Sequence, residues 1–188
     1  MQTLLQEKKV AGWDFKGVNT KYCTHGLHTY PAMMIPQIAS GLIGLYGVDS
    51  KTIFDPFVGS GTTMVEASLH SNFVEAYGVD INPLAVLIAK VKTTKIDLNA
   101  LEEEYLKLLN RIRLNKTKKF DKPDFGNIDF WFKPTVIYDL NAIKNCIGQI
   151  GDANIRDFFL VAFSQTVRRV SNTRNGEFKL YRIEESEL

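Results

Sequence analysis

Residues 51–68, KTIFDPFVGSGTTMVEAS, open as a short β-branched and aromatic strand and stop at Pro56. They then pass through Gly59 and Gly61 and resume with helical spacing from Met64 to Ala67 and Ser68. A strand that ends in a glycine turn and restarts as a helix lets backbone N–H groups approach a ligand, because glycine carries no Cβ to block them. Spacing separates three kinds of ligand. A Walker phosphate loop needs Gly-Lys followed by Ser or Thr, whereas Gly61 is followed by Thr62 and Thr63 with no lysine, which argues against a nucleoside triphosphate. A dinucleotide fingerprint needs a third glycine where Met64 stands. A nucleoside ligand without a pyrophosphate remains.

The flanks supply a partner for its ribose. EAYGVDINP, 75–83, predicts a second short strand ending in Asp80, with Pro83 at the first turn of a helix through PLAVLIAKVKTT. Asp80 lies 19 residues after Gly61, close to the offset of about 20 residues at which an acid bonds ribose hydroxyls in nucleotide-binding α/β folds. Taken singly, the glycines would serve as a structural turn and Asp80 as a solvated strand end; together, behind Asp55-Pro56-Phe57, they are far more specific. Upstream, Met34, Ile38, Leu42 and Leu45 predict an amphipathic helix from Pro31 to about Tyr46 despite Pro36. The order of helix, strand, glycine turn, helix, strand, acid and helix is a βαβ unit opening an α/β sheet.

Beyond Thr94 the pattern becomes helical. Leu98, Leu101, Tyr105, Leu108 and Ile112 form one stripe of a surface helix. A loop rich in aromatics follows, with Phe120, Phe125, Phe130, Trp131 and Phe132, the last three expected to cover a core. Two more helices are expected in 135–150 and 153–171, then a turn at Asn175-Gly176 and a last strand at Phe178 to Ile183. With no repeats and no low-complexity linker, residues 1–188 read as one domain: a cofactor-binding core, 25–96, and a mostly helical extension, 97–188.

Composition narrows the function classes. The chain has 188 residues, 45% hydrophobic and 23% charged, enough for a real core. A net charge of +2 leaves any nucleic-acid surface to a local patch, and Arg168, Arg169, Arg174 and Lys179 concentrate positive charge near the C-terminus, where they could meet phosphates. The two cysteines, Cys23 and Cys146, are too few for a disulfide framework and are expected to be packing residues in a reducing compartment. No apolar stretch approaches membrane-spanning length, so a cytoplasmic protein is expected. The three histidines have no carboxylate or thiol companions at ligand spacing, and no metal is expected.

DPFVGSGTT, 55–63, resembles the S-adenosylmethionine-binding motif of the amino-group DNA methyltransferases, which methylate N4 of cytosine or N6 of adenine, and matches it at every fixed position. HGLHTYPAMMIP, 25–36, is similar to the motif that precedes it where the cofactor half comes first, through His28, Tyr30, Pro31 and Pro36. GVDINPLAVLIAKVKTT resembles the acidic second strand and next helix, and RRVSNTRNGEFKLYR resembles a segment shortly before the catalytic tetrapeptide. The resemblance implies a Rossmann-like S-adenosylmethionine-dependent methyltransferase fold, with a parallel sheet flanked by helices. It further implies that Asp55, Phe57, Gly59, Gly61, Thr62 and Thr63 surround the methionine moiety. Asp80, with Asn82 beside it, takes the ribose side, and Tyr30 and Pro31 close the pocket opposite.

In that family the target amine is held by Asp, Asn or Ser followed by Pro-Pro and an aromatic, which stacks on the flipped base. The six prolines here are Pro31, Pro36, Pro56, Pro83, Pro123 and Pro134, and no two are adjacent. The tetrapeptide is therefore absent, and no catalytic residue is assigned. The family implication is a cofactor-binding half of a restriction-modification methyltransferase acting on double-stranded DNA, its sheet incomplete. A second polypeptide, or a missing C-terminal part, would supply the catalytic motif. An RNA methyltransferase acting on tRNA guanine and a non-catalytic scaffold or regulatory subunit are the rival readings.

Overall fold

The computed structural model describes residues 12–31, 33–70, 75–116, 118, 120–174 and 181–184. The chain forms two compact units, residues 1–93 and 94–188.

In the first unit, a 3-10 turn at His25–Leu27 precedes α1, Pro36–Tyr46. The helix does not begin at Pro31 as its periodicity suggested. Pro36 occupies the first turn, where its missing N–H costs nothing, so it starts the helix rather than interrupting it. The buried positions are accordingly Pro36, Ala39 and Ile43, while Met34 and Leu42 are exposed.

β1, Thr52–Asp55, pairs parallel with β2, Glu75–Gly78, in the register Thr52↔Glu75 through Asp55↔Gly78. Between them in the chain runs α2, Thr62–Leu69, and after them α3, Pro83–Thr93. This is the strand–helix–strand order expected, though β2 stops at Gly78, two residues short of Asp80. Ile53 turns toward α2 and α3 and packs on Val58, Met64 and Ala89. Its neighbour Phe54 faces the other way, opposite Tyr77, and both are more than half exposed. Among the described residues the sheet has these two strands.

The second unit is helical. α4, Leu98–Leu114, is capped by Asp97, whose carboxylate accepts the Ala100 N–H at 2.9 Å. The aromatic loop contains one helical turn, α5, Ile128–Trp131, and leads into α6, Pro134–Gly148, with Pro134 at its first turn. α7, Ala153–Val170, starts at Asp152, whose carboxylate accepts from the N–H groups of Asn154 and Ile155. Leu108, Cys146, Ile147, Ile150, Ile155 and Phe159 form one core. Phe132 joins Ile128 and Ile137 in a second cluster with Trp131 against it, whereas Phe130 remains exposed under the Arg182 guanidinium.

The expected turn at Asn175-Gly176 and the first half of the expected last strand lie outside the described residues; Thr173 and Arg182 form an isolated antiparallel bridge. Cys146 is buried as expected, but Cys23 is exposed, on a turn where its backbone is left-handed at φ 47°. No described helix is long and apolar enough to cross a membrane.

Candidate cofactor-binding site

The turn after β1 is shaped by its own polar groups. Asp55 Oδ1 accepts the Phe57 N–H at 2.9 Å, bending the chain as it leaves the strand. Val79 then donates to the Asp55 carbonyl at 3.0 Å and Val58 to the Val79 carbonyl at 2.9 Å. These bonds carry the ladder past both strand ends and set loop 58–61 beside Asp80. Gly61 donates back to Val58 O at 2.8 Å, closing a tight turn. Gly59 at φ 50° and Gly61 at φ 85° are left-handed, a region that costs a residue with a Cβ about 1–2 kcal/mol. Gly61 is also a close approach: a Cβ there would sit 2.7 Å from both the Cα and Cβ of Ala89 on α3.

Asp80 ties the two strand ends together. Its Oδ2 accepts the Gly59 N–H at 2.9 Å and its Oδ1 the Asn82 N–H at 2.8 Å. Asn82 in turn accepts the Leu84 N–H at 3.0 Å through Oδ1 and donates through Nδ2 to the Tyr30 hydroxyl at 3.0 Å. The structure thus brings together Tyr30, Gly59, Asp80 and Asn82, residues that are distant in sequence. Gly61 precedes α2 as its N-cap with no side-chain cap, so the first amide groups of α2 lack the usual side-chain acceptor. Thr62 is buried there and Thr63 half-buried, while Pro31 is exposed. Phe57 and Ile81, on the two loops, are 86% and 101% exposed.

Beneath the loop lies a polar brace that sequence reasoning missed. Glu66 on α2 is 1% exposed and accepts from the Tyr22 hydroxyl at 2.6 Å and pairs with His25 Nε2 at 2.8 Å. Burial, and then the bond to Glu66, push the Tyr22 phenol well above the usual tyrosine range. Lys92 on α3 is 4% exposed, donates to Ser60 Oγ at 3.4 Å, and receives the Thr24 hydroxyl on its carbonyl at 2.9 Å. Burial holds its ammonium below the ordinary lysine value. The signal was present in helical phase. Lys92 follows Ala85, Ile88 and Ala89 on the buried face of α3, and Glu66 follows Thr62 and Val65 on that of α2.

The basic residues lie in the second unit. Arg169 is exposed at the last turn of α7, Arg168 is half-buried, and Arg174 reaches Glu184 at 3.5 Å. Lys179 lies outside the described residues.

Residues 3–91, which contain the glycine turn and Asp80, match the DNA methylase family of N6 and N4 methyltransferases. The first half of the chain thus carries the signature of that family. It is 46% identical over 184 residues to the type II methyltransferase M.MvaI of Kocuria varians, covering 93% of this chain and 40% of that protein. It is 37% identical over 106 residues to the type II methyltransferase M.MjaII of Methanocaldococcus jannaschii, covering 56% of this chain and 18% of that protein. The chain therefore spans less than half the length of these relatives. No solved structure matches it.

Proposed function

We propose that this chain binds S-adenosylmethionine between the glycine turn and Asp80 and forms the cofactor half of an amino-group DNA methyltransferase of a restriction-modification system. The observation that carries this reading is the Asp80 carboxylate, fixed by the Gly59 and Asn82 N–H groups beside Tyr30, just past the C-terminal ends of two parallel strands. That is where open α/β sheets take their ligands, and the fold is accordingly read as Rossmann-like. The residues fit the cofactor: the turn lacks the lysine of a triphosphate site, and the left-handed glycines keep its backbone bare.

Asp55, Phe57, Gly59, Gly61, Thr62 and Thr63 hold the methionine end, Asp80 accepts from the ribose hydroxyls with Asn82 alongside, and Tyr30 and Pro31 close the far wall. When bound, the cofactor supplies an electrophilic methyl group on a sulfonium. The work of the chain is to hold that group still, since in-line transfer needs the reacting atoms about 3–3.5 Å apart. The Asp/Asn/Ser-Pro-Pro-aromatic motif that would grip N4 of cytosine or N6 of adenine comes from polypeptide outside residues 1–188, as does extrusion of the base from double-stranded DNA. Arg168, Arg169, Arg174 and Lys179 contact DNA phosphates.

Titration calorimetry of the whole chain with S-adenosylmethionine tests the site. The wild type is expected to bind, and Asp80→Ala to lose bonds worth about 1.5–3 kcal/mol each, a weakening of tenfold or more. No heat at saturating ligand would favour a second reading, a scaffold that keeps the family's shape, which the absence of adjacent prolines supports. Methyl transfer to DNA by the purified chain alone would refute an external catalytic motif.

A further inference from the structure

An ammonium group as deeply buried as that of Lys92 is expensive. Removing it from water costs several kcal/mol unless a carboxylate pairs with it, and among the described residues none does. Among the described residues its ammonium hydrogen-bonds one side chain, the hydroxyl of Ser60, itself 4% exposed, which sits between the two left-handed glycines. A methionine would fill the same volume without the desolvation penalty, so packing alone does not account for a lysine here. Segment 22–25 grips both helices: the Thr24 hydroxyl takes the Lys92 carbonyl on α3, and Tyr22 and His25 take Glu66 on α2. Lys92 thus stands where α3, the glycine loop and segment 22–25 meet.

We propose that Lys92 is a positioning residue for the glycine loop, its ammonium holding the Ser60 hydroxyl and thereby fixing Gly59 and Gly61 in the arrangement that receives the ligand. An ammonium only donates, so Ser60 must accept from it, which orients the hydroxyl and fixes the side-chain rotamer. With the side chain pinned, the backbone on either side is held toward the arrangement in which Gly59 donates to Asp80 and Gly61 to the Val58 carbonyl. Lys92 does not touch the ligand. It removes alternative loop conformers, so the ligand does not have to select against them.

The inference rests on the proposed cofactor site, and its test separates the two. Amide hydrogen exchange at Gly59 and Gly61 is measured in the ligand-free chain for wild type, Lys92→Met, Ser60→Ala and the double variant, with calorimetry against S-adenosylhomocysteine alongside. In Lys92→Met the two glycine amides are expected to exchange about tenfold faster, while amides in α6 and α7 keep their wild-type rates. Ser60→Ala produces the same acceleration, and the double variant adds nothing to either single, the non-additivity that marks one shared interaction. Ligand binding weakens in parallel, by about tenfold. Unchanged glycine exchange in Lys92→Met, or additive effects in the double variant, would overturn the proposal whether or not the wild type binds the ligand. A wild type that fails to bind would instead refute the cofactor site, leaving the exchange result to decide the role of Lys92. If Lys92→Met does not fold, Ser60→Ala alone decides, since unchanged exchange there removes the link.

Discussion

Replacing Gly61 by alanine isolates what the glycine turn requires. The backbone at φ 85° costs an alanine about 1–2 kcal/mol. The new Cβ would also lie 2.7 Å from the Cα and Cβ of Ala89, backbone and near-backbone atoms of a helix with no flexible side chain to yield. Forcing a methyl into such a contact costs about a further 1–3 kcal/mol, for a total of about 2–5 kcal/mol. Gly59→Ala is the control: it shares the left-handed backbone at φ 50°, but its nearest neighbour is the Phe57 carbonyl oxygen at 4.0 Å, so only the backbone cost applies. Urea unfolding followed by tryptophan fluorescence reads both variants. Of the two tryptophans, Trp13 belongs to the first unit and Trp131 to the second, so a Trp131→Phe background reports on the unit that holds the loop. The unfolding midpoint of Gly61→Ala should fall well below that of Gly59→Ala at equal slope. Equal midpoints would refute the packing of the loop on α3.

Glu66→Ala strands the Tyr22 hydroxyl and His25 Nε2 in a buried setting and should cost about 3 kcal/mol, with Glu66→Gln recovering part of it by keeping an acceptor; urea midpoints measure both. The phenol of Tyr22 has its pKa raised in the folded chain, so its contribution to stability is full below its ordinary value of 10.0 and is lost as pH climbs from there toward the folded value. Tyr22→Phe should therefore abolish a fall in stability above pH 10.0, visible as one tyrosine fewer resisting ionisation in a phenolate absorbance titration. Lys92 acts with the opposite sign: its lowered pKa makes stability rise as pH approaches 10.5, and Lys92→Met should flatten that rise in unfolding measured across alkaline pH. Asp152→Ala removes the cap that serves two amides of α7 and should cost about 0.5–2 kcal/mol by the same unfolding assay in a Trp13→Phe background.

Much of the first unit was legible because its signals are local. A β-branched run stopped by Pro56, two glycines and a proline at the head of α3 each dictate backbone shape without reference to distant residues, and β1, α2, β2 and α3 follow them. The start of α1 was misread because Pro36 satisfies helical spacing from either side, and only its lack of an N–H decides that it begins the helix. The exposure of Phe54 and Tyr77 could not be read, since a strand's apolar residues look alike whether or not another layer covers them. The Asp80–Gly59 bond was anticipated in its neighbourhood but not in its form. The expected role for that carboxylate was to face a ligand, and the structure has it first tying its own two loops together. Glu66 and Lys92 were passed over because charged residues on helices are usually solvated, and their burial depends on the segment 22–25 folded over them.

The engagement of Asp80 has a chemical consequence for selectivity. Each of its oxygens already takes one amide proton, leaving lone pairs on the carboxylate edge that can accept further bonds. Under the proposed ribose role, a sugar with two free hydroxyls satisfies such an edge, whereas one phosphorylated at either hydroxyl brings further acceptors to it. A carboxylate tied at both oxygens by its own backbone resists swinging aside, so in that proposed role discrimination against the phosphorylated sugar is built into the turn before any ligand arrives.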